Sequence, residues 1–161
     1  MNLAADAPQW LALLLALLLL VAAAEDAARL RISNITVALV LVGAVLAAVI
    51  VGPKLMLWQN LAVFGVLLLL GMPLFAAGRL GGGDVKLLAT TGLWFDVAGA
   101  GWMLLYVFVT GGVLALLIIA ARTFRWSDRV RRKVAVLRPK SGIPYGVAIA
   151  AGALIAMALQ R

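Results

Sequence analysis

Six apolar runs, separated by short breaks that are polar or rich in glycine and proline, limit what this chain can fold into. They cover about residues 8–24, 35–51, 55–77, 85–101, 102–121 and 143–160. A helix needs about 20 predominantly apolar residues to cross the hydrocarbon core of a bilayer, so each run reads as a membrane span. A water-soluble fold is excluded by composition: 66% of the 161 residues are hydrophobic and 12% are charged. Soluble domains have roughly 45–50% and about 25%. Backbone in lipid must satisfy its own hydrogen bonds, and at these run lengths that means helices. The expected fold is all-α, a polytopic membrane protein with six transmembrane helices in one domain over 1–161. Gly52-Pro53-Lys54, Gly81-Gly82-Gly83 and the stretch from Pro139 to Pro144 mark three clear breaks. The break near Asp96 to Gly101 is the least marked. The first run is expected to be retained, because a secretory signal has a basic segment ahead of it and here only Asp6 is charged.

Orientation follows from the cations. Loop 25–34 holds Arg29 and Arg31, loop 78–86 holds Arg79 and Lys86, and loop 122–142 holds eight more, so twelve of the fourteen Lys and Arg fall on one side. Lys54 and Arg161 are left for the other. The positive-inside rule puts the three basic loops in the cytoplasm and both termini outside. The net charge of +8 is then a topology signal directed at anionic headgroups, and no nucleic-acid partner is expected. Within the basic loop, Trp126, Val130, Val134 and Leu137 recur at helical spacing among arginines, which predicts a short interfacial helix.

The chain has no histidine and no cysteine. That removes Ser-His-Asp and Cys-His catalysis and the usual zinc motifs, so hydrolytic chemistry would run on carboxylates, Ser, Lys or Tyr. No metal or cofactor is expected. Ser33, Ser127 and Ser141 lie in loops or at loop edges, and only Ser141 abuts a lysine, a placement that does not make a Ser-Lys pair. Among the six acids, Asp6 sits in the outer tail and Asp128 among cations. Asp84 and Asp96 are separated by roughly 18 Å along one helix and cannot pair. Asp26 and Asp84 are separated by two complete spans, so both return to the cytoplasmic face at similar depth. Two carboxylates that meet share a proton, the basis of aspartic proteolysis. Simpler roles stay open: Asp84 also reads as a helix cap after a glycine turn, and Asp26 as a solvated acid at a helix end.

Three blocks of the sequence carry a family resemblance. Gly81-Gly82-Gly83-Asp84-Val85-Lys86 resembles the G-x-G-D-x-K signature of the prepilin peptidases. The segment from Asp26 through Arg31 and Ile32 to Asn34 resembles their D-x-x-x-x-R-I-P-N segment, and Ile143-Pro144-Tyr145-Gly146 to Ile149 their P-Y-G-x-A-I segment. Ser33 stands where that family usually has proline, a change expected to loosen the start of the second span. The resemblance implies an aspartic-type endopeptidase of the bacterial inner membrane that removes the leader from type IV or Flp-type prepilins at the cytoplasmic surface. Those precursors have a basic leader, a glycine before the cut and a hydrophobic mature helix. Lacking the cysteine-bearing N-terminal extension of the bifunctional enzymes, the chain looks like the short form without a methyltransferase region. Asp26 and Asp84 would be catalytic, with Gly81, Gly83, Lys86 and Asn34 in support and no cofactor; the prepilin and membrane lipids are the expected partners. The oligomeric state is not legible. Two other readings fit the composition: a small transporter or channel component lined by Asp26, Asp84 and Asp96, and a non-catalytic pilus assembly factor.

Reporter fusions test the topology. Fusions after Gln59 and after Arg161 should report a non-cytoplasmic location, and fusions within 79–83 and 129–133 a cytoplasmic one. A cytoplasmic signal at Arg161 would contradict an even number of spans.

Overall fold

The computed structural model describes residues 1–52, 55–124, 126, 136 and 142–160. Among these residues it has seven helices and no strand: α1 (Leu3–Asp6), α2 (Gln9–Arg29), α3 (Asn34–Val51), α4 (Leu57–Ala76), α5 (Gly82–Gly92), α6 (Val97–Thr123) and α7 (Tyr145–Leu159). By length and composition, α2, α3, α4 and α6 can each cross a membrane, and α7 is apolar but shorter. Local chemistry sets the ends. Leu30 closes α2 in the left-handed region at φ 53°, and the Ser33 side chain caps α3 by accepting the Ile35 N–H at 3.1 Å.

The fourth and fifth runs divide differently from the expected 85–101 and 102–121. Helix α5 stops at Gly92 and α6 starts at Val97, then continues unbroken through Gly101. Asp96 decides the boundary, because its side chain accepts the Gly99 N–H at 2.8 Å and so caps α6. A glycine inside a helix costs only about 1 kcal/mol relative to alanine, too little to break α6 at Gly101. With 11 residues, α5 is roughly 16 Å long, about half the thickness of a bilayer core.

Non-helical backbone and α1 fill the remaining depth. The Asn60 side-chain amide, buried in α4, donates to the carbonyls of Met1 and Leu93 at 2.9 Å and of Phe95 at 3.1 Å. Ala4 N–H donates to the Trp94 carbonyl at 2.9 Å, and Trp94 Nε1 to the Val40 carbonyl at 3.2 Å. The Trp94 ring lies against Gly43, where a Cβ would come within 3.0 Å of it. Irregular backbone at this depth is tolerated because protein groups satisfy its hydrogen bonds.

The bundle has two chemically different ends. At one, Asn2 Nδ2 donates to Gln160 Oε1 at 2.7 Å, and the exposed Trp10, Trp58 and Trp102 stand near the starts of α2, α4 and α6. Tryptophans in such a girdle are typical of a membrane interface. The opposite end carries Arg29, Arg31, Arg79 and Lys86, all exposed. Between the ends, α6 packs along antiparallel α7, where Thr110 Oγ1 donates to the Ala148 carbonyl at 3.0 Å. Most of the basic loop 122–142, including the interfacial helix expected around Trp126 and Val130, lies outside the described residues. At its flank the Arg122 guanidinium donates to the Val136 carbonyl at 2.9 Å and the Gly142 carbonyl at 3.2 Å.

Replacing Asn60 by leucine removes the donors that three buried carbonyls use, and should cost about 1–3 kcal/mol. Thermal unfolding in detergent checks this: Asn60→Leu should melt below the parent, while Gln59→Leu, on the neighbouring position, should not.

Candidate active site

Asp26 occupies the last turn of α2 and is 3% exposed. Its Oδ2 accepts the Gly146 N–H at 2.6 Å. That amide belongs to the first turn of α7, a helix whose Pro144 cap position supplies no side-chain bond. The first amides of a helix have no partner within it and favour a carboxylate. Asp26 therefore caps α7 from another helix. Glycine is required at 146, since a Cβ there would stand 2.8 Å from Ile32 Cδ1 and 2.9 Å from Asp26 Oδ2.

Asp84 enters from α5. It is the third helical residue, and its Oδ2 reaches back to accept the N–H of Gly81, which holds the cap position, at 3.1 Å, so it closes the start of the helix while lining the cavity. The glycine run lets other groups come close: a Cβ on Gly83 would stand 3.2 Å from Ile32 Cβ, and one on Gly81 2.8 Å from Asp84 Oδ2.

Asp26 and Asp84 line one cavity of about 320 Å³ together with Arg31, Ile32 and the three glycines. Both carboxyl groups are buried, Asp26 at 3% and Asp84 at 9% exposure. The arrangement places two buried carboxylic groups on one cavity beside glycine backbone. Such a site can activate water and polarise a carbonyl without a metal or an imidazole.

The other expected residues fall around this pair. Lys86 Nζ donates to Asn34 Oδ1 at 3.1 Å, bracing the start of α5 against the start of α3. Asp96 lies at the opposite end of the bundle, 3.9 Å from the N-terminal ammonium, so the three acids do not line one path. Asp128 is outside the described residues.

Two contributions escaped the sequence reading. Gly146, which the sequence offers only as part of the P-Y-G segment, is the donor to Asp26. Glu25, next to Asp26 in the chain, accepts the Ser33 N–H at 2.9 Å and the Thr36 hydroxyl at 3.1 Å. It holds the turn that presents Ile32 to the site. Ser33 does not loosen that turn, because it caps α3 and supplies an N–H that proline lacks.

The fold and site define a polytopic helical membrane protein with two buried aspartates on one cavity at its basic end. Residues 13–118 match the model of the type IV leader peptidase family, and the chain belongs to that family. The matched region contains Asp26 and Asp84 and ends before Gly146. Comparison with curated proteins and with solved structures gives no significant match.

Proposed function

We propose that the chain is an aspartic-type endopeptidase of the bacterial inner membrane, which removes the leader from type IV or Flp-type prepilins at the cytoplasmic surface. The observation that carries this reading is the burial of Asp26 and Asp84 around one cavity at the end of the bundle where the cations gather. Family membership supports leader-peptide hydrolysis, and the cations support a cytoplasmic position for that end. In this reading residues 1–161 form one membrane peptidase domain that crosses the bilayer six times with both termini outside. Helix α5, continued by Leu93 to Phe95, makes the fourth crossing.

The chemistry uses one shared proton. The ionised carboxyl takes a proton from water, and the resulting hydroxide adds to the scissile carbonyl carbon. The neutral carboxyl donates its proton to the carbonyl oxygen as the tetrahedral intermediate forms. Collapse returns the proton from that oxygen, the departing nitrogen is protonated, and the carbon–nitrogen bond breaks to leave a carboxylic acid and an amine. Asp26 is held in position by the Gly146 amide. Gly81 and Gly83 let Asp84 and Ile32 pack directly against the backbone that begins α5, and the Lys86–Asn34 bond keeps α3 and α5 in register.

Single substitutions divide the acids by role. Asp26→Asn and Asp84→Asn should each lower cleavage of a co-expressed precursor by roughly a thousandfold or more, because residues acting as one unit fail singly. Both chains should stay inserted and folded, since asparagine still offers an oxygen to the Gly146 or Gly81 amide. Glu25→Gln and Asp96→Asn keep their capping acceptors and should process normally. Full processing by either Asp26→Asn or Asp84→Asn would refute the dyad.

A further inference from the structure

Asp84 borders two spaces of opposite character. One is the polar cavity it shares with Asp26 and Arg31. The other is an apolar groove of about 300 Å³ between α5, α6 and α7, walled by Leu88, Leu104, Phe108 and Ile149. Leu104 also lines a second apolar space, of about 230 Å³, between α4 and the start of α6 near Val97 and Gly101. Leu104 borders both apolar spaces, and α6 packs on α7 while touching α4 at few points, so the two spaces lie along one face of α6 as a seam.

The face of α6 that borders the seam is built from Gly101, Leu104, Phe108, Gly112 and Ala115, spaced three or four residues apart as one side of a helix requires. A Cβ on Gly101 or Gly112 would meet no atom within 4 Å, so neither glycine is needed for packing inside the chain. From Val97 to Ala115 the seam is about 27 Å long at 1.5 Å per residue, close to the roughly 30 Å of a bilayer core. Its walls are hydrocarbon along almost the whole length, with a carboxylate at one end. A polypeptide occupant must satisfy its own backbone hydrogen bonds there, so it would be an apolar helix. Peptide bonds inside a helix are shielded, so a bond open to Asp84 lies where that helix ends and the chain passes into the polar cavity.

We infer that the seam between α4–α5 and α6 is the docking groove for the apolar helix of the substrate, with the polar leader in the Asp26–Arg31 cavity and the scissile bond over Asp84. This deepens the peptidase reading and rests on it. Small residues at positions 101 and 112 let the substrate backbone approach α6 closely, the usual way helices associate where water provides no drive.

The test places a photo-crosslinking amino acid at position 101 or 112 of the full-length Asp84→Asn chain, in membranes holding an uncleaved prepilin. The groove is supported by adducts with the precursor from both positions and none from position 42, on the exposed face of α3. Adducts with a second copy of the chain, adducts with lipid alone, or equal capture from position 42 would overturn it. In the active chain, Gly101→Leu and Gly112→Leu fill open space and should raise KM for the precursor by roughly tenfold. Gly65→Leu, also unobstructed but off the seam, should leave it unchanged. An unchanged KM in both groove variants would likewise overturn the proposal. Precursor adducts without any cleavage by the parent chain would sink the peptidase reading and leave the groove standing; cleavage without adducts would do the reverse.

Discussion

One hydrogen bond between two helices organises the functional end of this protein: the Gly146 amide to the Asp26 carboxylate. It joins the C-terminal end of α2 to the N-terminal end of α7, where unpaired amides and the helix dipole favour negative charge. Because α7 has no side-chain cap of its own, losing Asp26 would leave an amide unpaired at the membrane boundary. Ile32, which follows α2, packs against both Gly146 and Gly83, so the same contact aligns the glycine turn that begins α5. Asp84 then faces the cavity that Asp26 lines. The acid proposed for chemistry is thus also a structural cap, and asparagine separates the two roles more cleanly than alanine.

The second constraint lies at the other end. A full-length helix beginning at Gly82 would cross the bilayer in one piece. Here α5 stops after 11 residues, and the chain turns back while still buried. That is possible because Asn60 and α1 supply the hydrogen bonds that lipid cannot. The short helix stands beside the long α6 without packing along it, which leaves an open seam from the carboxylates through the bundle.

Local rules are broken mainly around the acids. Two carboxylates are buried at the edge of an apolar bundle, three glycines begin a helix, and two more glycines on α6 border open space. Each costs stability on its own, and such costs gather where a protein does chemistry or binds a partner. The described remainder follows the ordinary pattern of apolar helices, tryptophans at one interface and cations at the other.

Hydropathy alone determined that the chain is helical and membrane-embedded, and it located α2, α3 and α4 to within a few residues, because lipid leaves the backbone no alternative. The absence of histidine and cysteine narrowed the chemistry to carboxylates, Ser, Lys or Tyr, and the glycine-aspartate block with the Asp26 segment pointed to the family. The end of α5 was not legible, since it depends on Asn60, distant in sequence, and on a cap at Asp96 that a run of apolar residues hides. Nor was the role of Gly146: an amide becomes a site element only when another helix brings a carboxylate to it. Glu25 and Asp26 are adjacent and chemically alike, and only packing turned one toward the α3 cap and the other toward the cavity. Sequence periodicity reports what each segment must hide from water, whereas which polar group meets which is decided by helices far apart in the chain, and so only in the tertiary structure.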